Sequence, residues 1–252
     1  MKNENLFDVS KKIVFITGAS SGIGRSAATC LAKNGAKVVG IARREDKLKH
    51  WCETCEGETS YYLADVSKRK NIKNIVLDII DKEGEPDILV NAAGINTREH
   101  ADDVTLEGWD KTLDLNLSTP FFMAQSVIEG MKKKNWGRII NYASLASRRA
   151  LPSSISYGAS KGGIEQLTRA MAEAWSKYGI NTNAIAPGFF PTELTVPVFN
   201  DTERTKRNAQ QTCIGRNGKL EDLDGPLLFL CSRSSDYVTG QLLFVDGGFT
   251  AK

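Results

Sequence analysis

Short apolar runs recur along this chain with helix-length patterns between them, and that alternation restricts the folds open to it more than any other feature. The runs are Ile13–Ile16, Lys37–Ile41, Tyr61–Leu63, Asp87–Val90, Arg138–Tyr142, Ile180–Ala186 and Leu242–Val245. Helical patterns cover Gly22–Asn34, about 68–83, about 106–134 with a break near Pro120, and Tyr157–Tyr178, which Gly179 stops. Strands that alternate with helices build parallel βαβ units and a doubly wound sheet. Strands that are apolar without interruption need cover on both faces. The pattern therefore predicts an α/β fold with a seven-stranded parallel sheet and helices on either side. A length of 252 residues suits one such domain over 1–252, and no repeat, low-complexity tract or linker divides it. Only residues 189–217 break the rhythm, with Pro191, Pro197, Arg204, Lys206, Arg207 and Arg216. A long excursion of this kind reads as a substrate lid.

Composition narrows the function classes. Hydrophobic residues make up 41% and charged residues 25%, the balance of a soluble globular protein. No apolar run approaches the roughly 18 residues of a membrane span. Met1–Ser10 is polar and mixed in charge, unlike a signal peptide. A net charge of +3 is too small for a nucleic-acid partner. Lys132–Lys134 falls where a helix should end, and cations there complement the helix dipole. The five cysteines, Cys30, Cys52, Cys55, Cys213 and Cys231, are expected to be free thiols in a reducing, cytoplasmic compartment. Cys52 and Cys55 have C-x-x-C spacing, but only His50 and His100 could join them. A surface helix with incidental cysteines is expected, and no metal site.

Two local patterns carry chemistry. Directly after the first strand comes Thr17-Gly18-Ala19-Ser20-Ser21-Gly22-Ile23-Gly24. Glycines let backbone approach a pyrophosphate, and the helix that follows offers unpaired N–H groups and a positive dipole end. The spacing is G-x-x-x-G-x-G rather than G-x-G-x-x-G. Further on, Tyr157 and Lys161 stand four apart, on one face of a helix, with Ser144 upstream. A free phenol titrates near ~10, and a cation held beside it favours the phenolate.

With these motifs the chain resembles the short-chain dehydrogenase/reductase family over nearly its whole length. The family loop T-G-x-x-x-G-x-G matches Thr17–Gly24. Its N-N-A-G motif matches Asn91-Ala92-Ala93-Gly94, with alanine in second place. Its helix asparagine matches Asn116, its Ser, Tyr and Lys match Ser144, Tyr157 and Lys161, and its P-G motif and following threonine match Pro187-Gly188 and Thr192. The resemblance implies a single-domain Rossmann fold, a small-molecule carbonyl or alcohol substrate and a homotetramer. It implies Tyr157 as proton donor or acceptor, Ser144 as hydrogen-bond donor to the reacting oxygen and Asn116 as holder of a relay water. Lys161 would tune the tyrosine and hold the nicotinamide ribose, and Thr192 would contact the carboxamide. Asp65 and Val66 would contact the adenine, although Asp65 also suits a helix cap. The cofactor contacts implied are Gly18, Ser20, Ser21, Gly22, Ile23, Gly24, Asn91, Ala92, Gly94, Tyr157, Lys161, Pro187, Gly188 and Thr192.

The end of the second strand bears on the choice of nicotinamide cofactor. A carboxylate there would bond the ribose 2′-hydroxyl and repel a 2′-phosphate. This chain has Ala42 in that place, followed by Arg43 and Arg44, whose forks suit a phosphate. NADP(H) is therefore expected in preference to NAD(H). The C-terminal half resembles the sugar-acid and polyol branch, represented by gluconate 5-dehydrogenase and 2-deoxy-gluconate 3-dehydrogenase. Arg98 and Arg148 or Arg149 would flank a pocket for a carboxylate, or else such arginines pair with Glu193, Asp201 and Glu203. The alternative is a 3-oxoacyl-carrier-protein reductase. A non-catalytic cofactor-binding sensor would be expected to lack the Tyr or the Lys.

Overall fold

The computed structural model describes residues 5–252, so the first four residues of the Met1–Ser10 stretch lie outside the described residues. Seven strands form one sheet: β1 Ile13–Thr17, β2 Lys37–Ala42, β3 Thr59–Leu63, β4 Ile88–Asn91, β5 Gly137–Tyr142, β6 Ile180–Pro187 and β7 Leu242–Val245. Their order is 3-2-1-4-5-6-7, and every neighbouring pair is parallel. The helices between them are α1 Gly22–Lys33, α2 Glu45–Thr54, α3 Ile72–Glu83, α4 Leu106–Leu113, α5 Thr119–Lys134, α6 Ile155–Trp175, α7 Val196–Phe199, α8 Thr202–Gln211 and α9 Asp224–Cys231.

Successive strand side chains point to opposite faces, and here both faces are buried. Val14, Ile16, Val38, Ile88 and Ile140 pack against Ala28 and Leu31 of α1, Leu48 and Trp51 of α2, and Leu227 and Leu230 of α9. Phe15, Val39, Leu89 and Ile139 pack on the other side against Val76 and Ile79 of α3 and Met123, Val127 and Met131 of α5. Trp51 is fully buried because its indole N–H has a partner, donating to Thr29 Oγ1 at 3.0 Å.

The strands and most of the helices fall where the sequence pattern puts them; α9 has no counterpart in that pattern, and two further differences stand out. The stretch from Leu106 to Lys134 is interrupted not by Pro120, which sits harmlessly in the first turn of α5, but by a five-residue π turn at Asp114–Ser118. Cys52 and Cys55 are half-buried against the core behind α2 rather than on an outer face, because that helix turns its Leu48–Trp51–Cys52 side inward. The excursion at 189–217 contains two helices, α7 and α8. All five cysteines are free thiols. No helix among the described residues is long and apolar enough to cross a membrane.

Candidate active site

The strand order reverses at β1, which lies between β2 and β4, so the loops after β1 and β4 diverge and leave a crevice at the strands' C-terminal ends. Thr17 ties the two loops together: its Oγ1 accepts the backbone N–H groups of Ala92 and Ala93, both at 3.2 Å. Gly18 has φ +77°, and a Cβ on it would lie 2.8 Å from Ala93 N. A Cβ on Gly24 would lie 2.4 Å from Gly18 O. A side chain at 18 would push the loop away from the segment after β4, and one at 24 would push the start of α1 off the loop itself. Helix α1 starts with Ser21 at its N-cap, whose side chain makes no capping bond, so the first-turn N–H groups remain open to an anion.

Over this floor lies a cavity of about 450 Å³. Gly18, Ser20, Ser21, Gly22, Ile23 and Gly24 line it, with Ala92 and Gly94 opposite. Arg43, Arg44, Asp65 and Val66 stand at one end, and Tyr157, Lys161, Pro187 and Thr192 at the other. A smaller cavity of about 120 Å³ adjoins it, lined by Ser144, Gly188, Phe190, Arg98 and Arg204. Tyr157, Pro187, Thr192 and Leu194 belong to both walls. A glycine floor, an open helix N-terminus, two arginines at one end and a buried lysine at the other fit a nicotinamide dinucleotide lying along the larger cavity.

Two of the expected residues stand behind the wall rather than in it. Asn91 is buried, and its amide donates to Asn141 Oδ1 at 2.9 Å and to the Pro120 carbonyl at 3.3 Å. It joins β4 to β5 and lines neither cavity; its side chain braces the strands behind the wall. Asn116 is held in the π turn, where its Oδ1 accepts from Ile95 N at 2.9 Å. Its Nδ2 donates to Ile95 O at 2.8 Å and to Ser160 Oγ at 3.1 Å. Both amide hydrogens are thus committed to protein partners.

The electrostatics of Tyr157 and Lys161 also differ from the expectation that the lysine lowers the phenol. The Lys161 ammonium lies 5.7 Å from the Tyr157 ring centroid and donates to the Tyr142 carbonyl at 2.6 Å. Burial pushes the Tyr157 phenol up, while a hydrogen bond from Ser144 and the field of Arg98 pull the other way. Burial likewise lowers Lys161 to about 8. Desolvation wins because neither group has an ionised partner in contact, and the cation whose field reaches the phenol is Arg98. Ser144 Oγ also accepts from Ala146 N at 3.1 Å, which orients the hydroxyl whose single hydrogen is turned to the phenol.

The arginines sort clearly. Arg148 is turned away and pairs with Glu165 at 2.6 Å. Arg149 stands over the Phe249 ring. Neither flanks the cavities, which corrects that expectation: α6 supplies a carboxylate that captures Arg148. Arg216 pairs with Asp222 and Lys206 with Glu203. Arg98 and Arg204 alone of these reach the smaller cavity, and among the described residues neither has a carboxylate partner. Arg98 Nη2 donates to the Leu194 carbonyl at 2.8 Å, and Arg204 depresses Arg98 after burial does. Sequence reasoning missed Glu193 and Leu194 as wall residues. Their place beside Thr192 was a signal, but no spacing rule brings Glu193 to Arg44, where its carboxylate lies 2.7 Å from the guanidinium.

A family model described as enoyl-(acyl carrier protein) reductase matches residues 18–250. Gluconate 5-dehydrogenase of Gluconobacter oxydans is 37% identical over 253 residues, covering 99% of this chain and 99% of that protein. 2-Dehydro-3-deoxy-D-gluconate 5-dehydrogenase of Dickeya dadantii is 38% identical, with 98% and 99% covered. A solved structure of a gluconate 5-dehydrogenase from Burkholderia cenocepacia J2315 in complex with NADP and tartrate is similar with a TM-score of 0.93 and 34% identity, covering 98% of each chain.

Proposed function

The chain belongs to the short-chain dehydrogenase/reductase family of oxidoreductases that act on CH–OH groups, and from that premise we propose that it interconverts the keto and hydroxy forms of a small sugar acid, with NADP(H) preferred over NAD(H). The observation that carries this reading is the shared wall of the two cavities. Tyr157 stands there, hydrogen-bonded to Ser144 of the smaller cavity, and two uncompensated arginines line that cavity, a setting that suits a carboxylate-bearing substrate. The relatives named as gluconate and deoxygluconate dehydrogenases point to the same class.

In this reading Ser144 donates a hydrogen bond to the reacting oxygen and Tyr157 gives it a proton, or takes one in the oxidative direction. The positive field of Arg98 opposes the burial that holds the phenol proton. Lys161 holds the ribose hydroxyls next to the nicotinamide. Asn116 braces Ile95 and Ser160 behind the site and keeps one lone pair of Oδ1 for a relay water. The first turn of α1 holds the pyrophosphate, Asp65 and Val66 the adenine, Arg43 and Arg44 the 2′-phosphate, and Thr192 the carboxamide. The nicotinamide, when bound, supplies the hydride chemistry.

We propose further that residues 1–252 act as one domain with 189–217 as the substrate lid, working in the cytoplasm as a homotetramer. Five free thiols suit a reducing compartment. Leu106, Ile155 and Leu243 are exposed apolar residues on α4, α6 and β7 that an assembly would cover. Sedimentation tests the assembly. The activity is tested with NADPH oxidation on 5-keto-D-gluconate, 2-dehydro-3-deoxy-gluconate derivatives and an acetoacetyl thioester. Turnover of the keto-sugar acids is expected; turnover of the thioester alone would replace this reading with a 3-oxoacyl-carrier-protein reductase.

A further inference from the structure

The lid carries a carboxylate to the far end of the crevice, away from the reacting groups. Glu193 follows Thr192 in a short 3-10 turn, Glu193–Thr195. Its Oε2 lies 2.7 Å from Arg44 Nη1, and its Oε1 lies 3.4 Å from Lys47 Nζ. The same guanidinium is already held in place by the glycine-rich loop. Arg44 donates from Nε to Ser20 Oγ at 3.2 Å, and from Nη2 to Ser20 Oγ at 2.9 Å and Ser21 Oγ at 2.6 Å. Arg44 is therefore fixed at the mouth of the adenosine end, with an anion from the lid on its remaining edge. That anion stays ionised: the hydrogen bond from Arg44 holds the Glu193 carboxyl below its ordinary range. The turn cannot swing away freely, because the Leu194 carbonyl next in sequence accepts from Arg98.

A 2′-phosphate needs what Glu193 already uses. Arg43, Arg44 and Lys47 are cations at this end; Glu193 pairs with the last two, Asp65 lies in the field of Arg43 and Lys68, and Glu45 and Asp46 begin α2 directly after Arg44. Without Glu193 a phosphate would meet Arg44 and Lys47 freed of their carboxylate partner. With Glu193 in place it must displace a like charge or sit beside it. A cofactor without the 2′-phosphate meets no such competition.

We propose that Glu193 is a specificity-determining residue for the cofactor, a lid carboxylate that competes with the 2′-phosphate for Arg44 and keeps the preference for NADP(H) shallow. The inference rests on the reading that a nicotinamide dinucleotide lies along this crevice with its adenosine end at Arg44. Both partners of the pair are about half exposed, 45% and 50%, so solvent screens it. The effect of removing it is therefore roughly two- to fivefold in affinity, not orders of magnitude.

The test uses two nucleotides that cannot turn over, adenosine 2′,5′-bisphosphate and adenosine 5′-phosphate, titrated by calorimetry into the wild-type protein, Glu193→Gln and Glu193→Asp. The expected result is that Glu193→Gln binds the bisphosphate about two- to fivefold tighter and the monophosphate unchanged. Glu193→Asp should behave more like the wild type, and raising the salt should erase the difference. An unchanged affinity ratio in Glu193→Gln overturns the proposal. A loss of monophosphate binding overturns it too, because the carboxylate would then be holding the ribose hydroxyl. If the wild-type protein binds neither nucleotide, the reading of the crevice itself fails and takes this one with it. If both bind and only the ratio refuses to move, the crevice stands and Glu193 has no part in the choice.

Discussion

Lys161 is the residue on which burial and chemistry conflict most openly. It is almost fully buried with one hydrogen bond, to the Tyr142 carbonyl, and no carboxylate in contact. Its folded-state value is about 8 against an ordinary 10.5. The sign follows directly. Below pH 8 both states are protonated, and the native state carries the full penalty of a buried cation. Between those values the unfolded chain binds more protons than the folded one, so stability rises with pH. The penalty amounts to roughly 3 kcal/mol. Lys161→Met is therefore expected to gain thermal stability relative to the wild type at pH 6–7, with the gain shrinking toward pH 10. A difference that does not depend on pH would show that the lysine is not desolvated. Tyr157→Phe should lower turnover by several orders of magnitude while NADPH binding, read by fluorescence, stays within a few-fold. Both residues were legible because their spacing is local, four positions on one helix. Arg98 and Arg204 were not legible as a pair. One lies after β4 and the other on α8, and only the folded course of residues 189–217 brings them to the same cavity.

At the level of elements, the π turn between α4 and α5 does the most to shape the site. It places Asn116 inward, where the amide joins Ile95 to Ser160, and Ser160 in turn donates to the Tyr157 carbonyl at 2.7 Å. Position 163 shows how tightly α6 rests on this turn. A Cβ on Gly163 would stand 2.9 Å from Leu117 Cδ2 and 3.0 Å from Leu117 Cδ1. Alanine can be absorbed by turning the leucine tip. Valine cannot, so Gly163→Val is expected to cost about 1–3 kcal/mol in urea unfolding and to lower turnover by moving Asn116. Equal stability with full activity would mean that the two elements slide without consequence. The helix break at this point was visible in the sequence, yet Pro120 suggested the wrong cause. A proline announces itself in a sequence, whereas an extra residue in a helical turn leaves no compositional mark. Helix α9 was not read at all from the sequence. Its run Leu227-Leu228-Phe229-Leu230-Cys231 is apolar all round and so shows no amphipathic contrast in the sequence, although only Leu227, Leu230 and Cys231 are fully buried.

For the whole molecule, the crevice predicts a stability that depends on ligand. NADPH at about a hundredfold excess over its dissociation constant should add about 2.7 kcal/mol, which for a chain of this size raises the thermal midpoint by roughly 5–10 °C. The absence of any shift with either nicotinamide cofactor would count against the cofactor assignment. The sheet itself was the most legible feature, because seven continuous apolar runs can be covered on both faces in few ways. The strand order, 3-2-1-4-5-6-7, was not legible, because parallel crossovers fix the direction of the strands and not which of them are neighbours. That order also makes the two ends of the sheet's sequence unequal. β1 comes first along the chain but stands in the interior of the sheet, where Val14 pairs with both Val38 and Ile88. β7 comes last and stands at an edge. Trimming from the β7 side peels away a border strand, whereas trimming through β1 parts β2 and β3 from the other four. Tolerance to proteolysis, fusion and circular permutation should therefore be judged by where a strand lies in the sheet, not by its distance from a terminus.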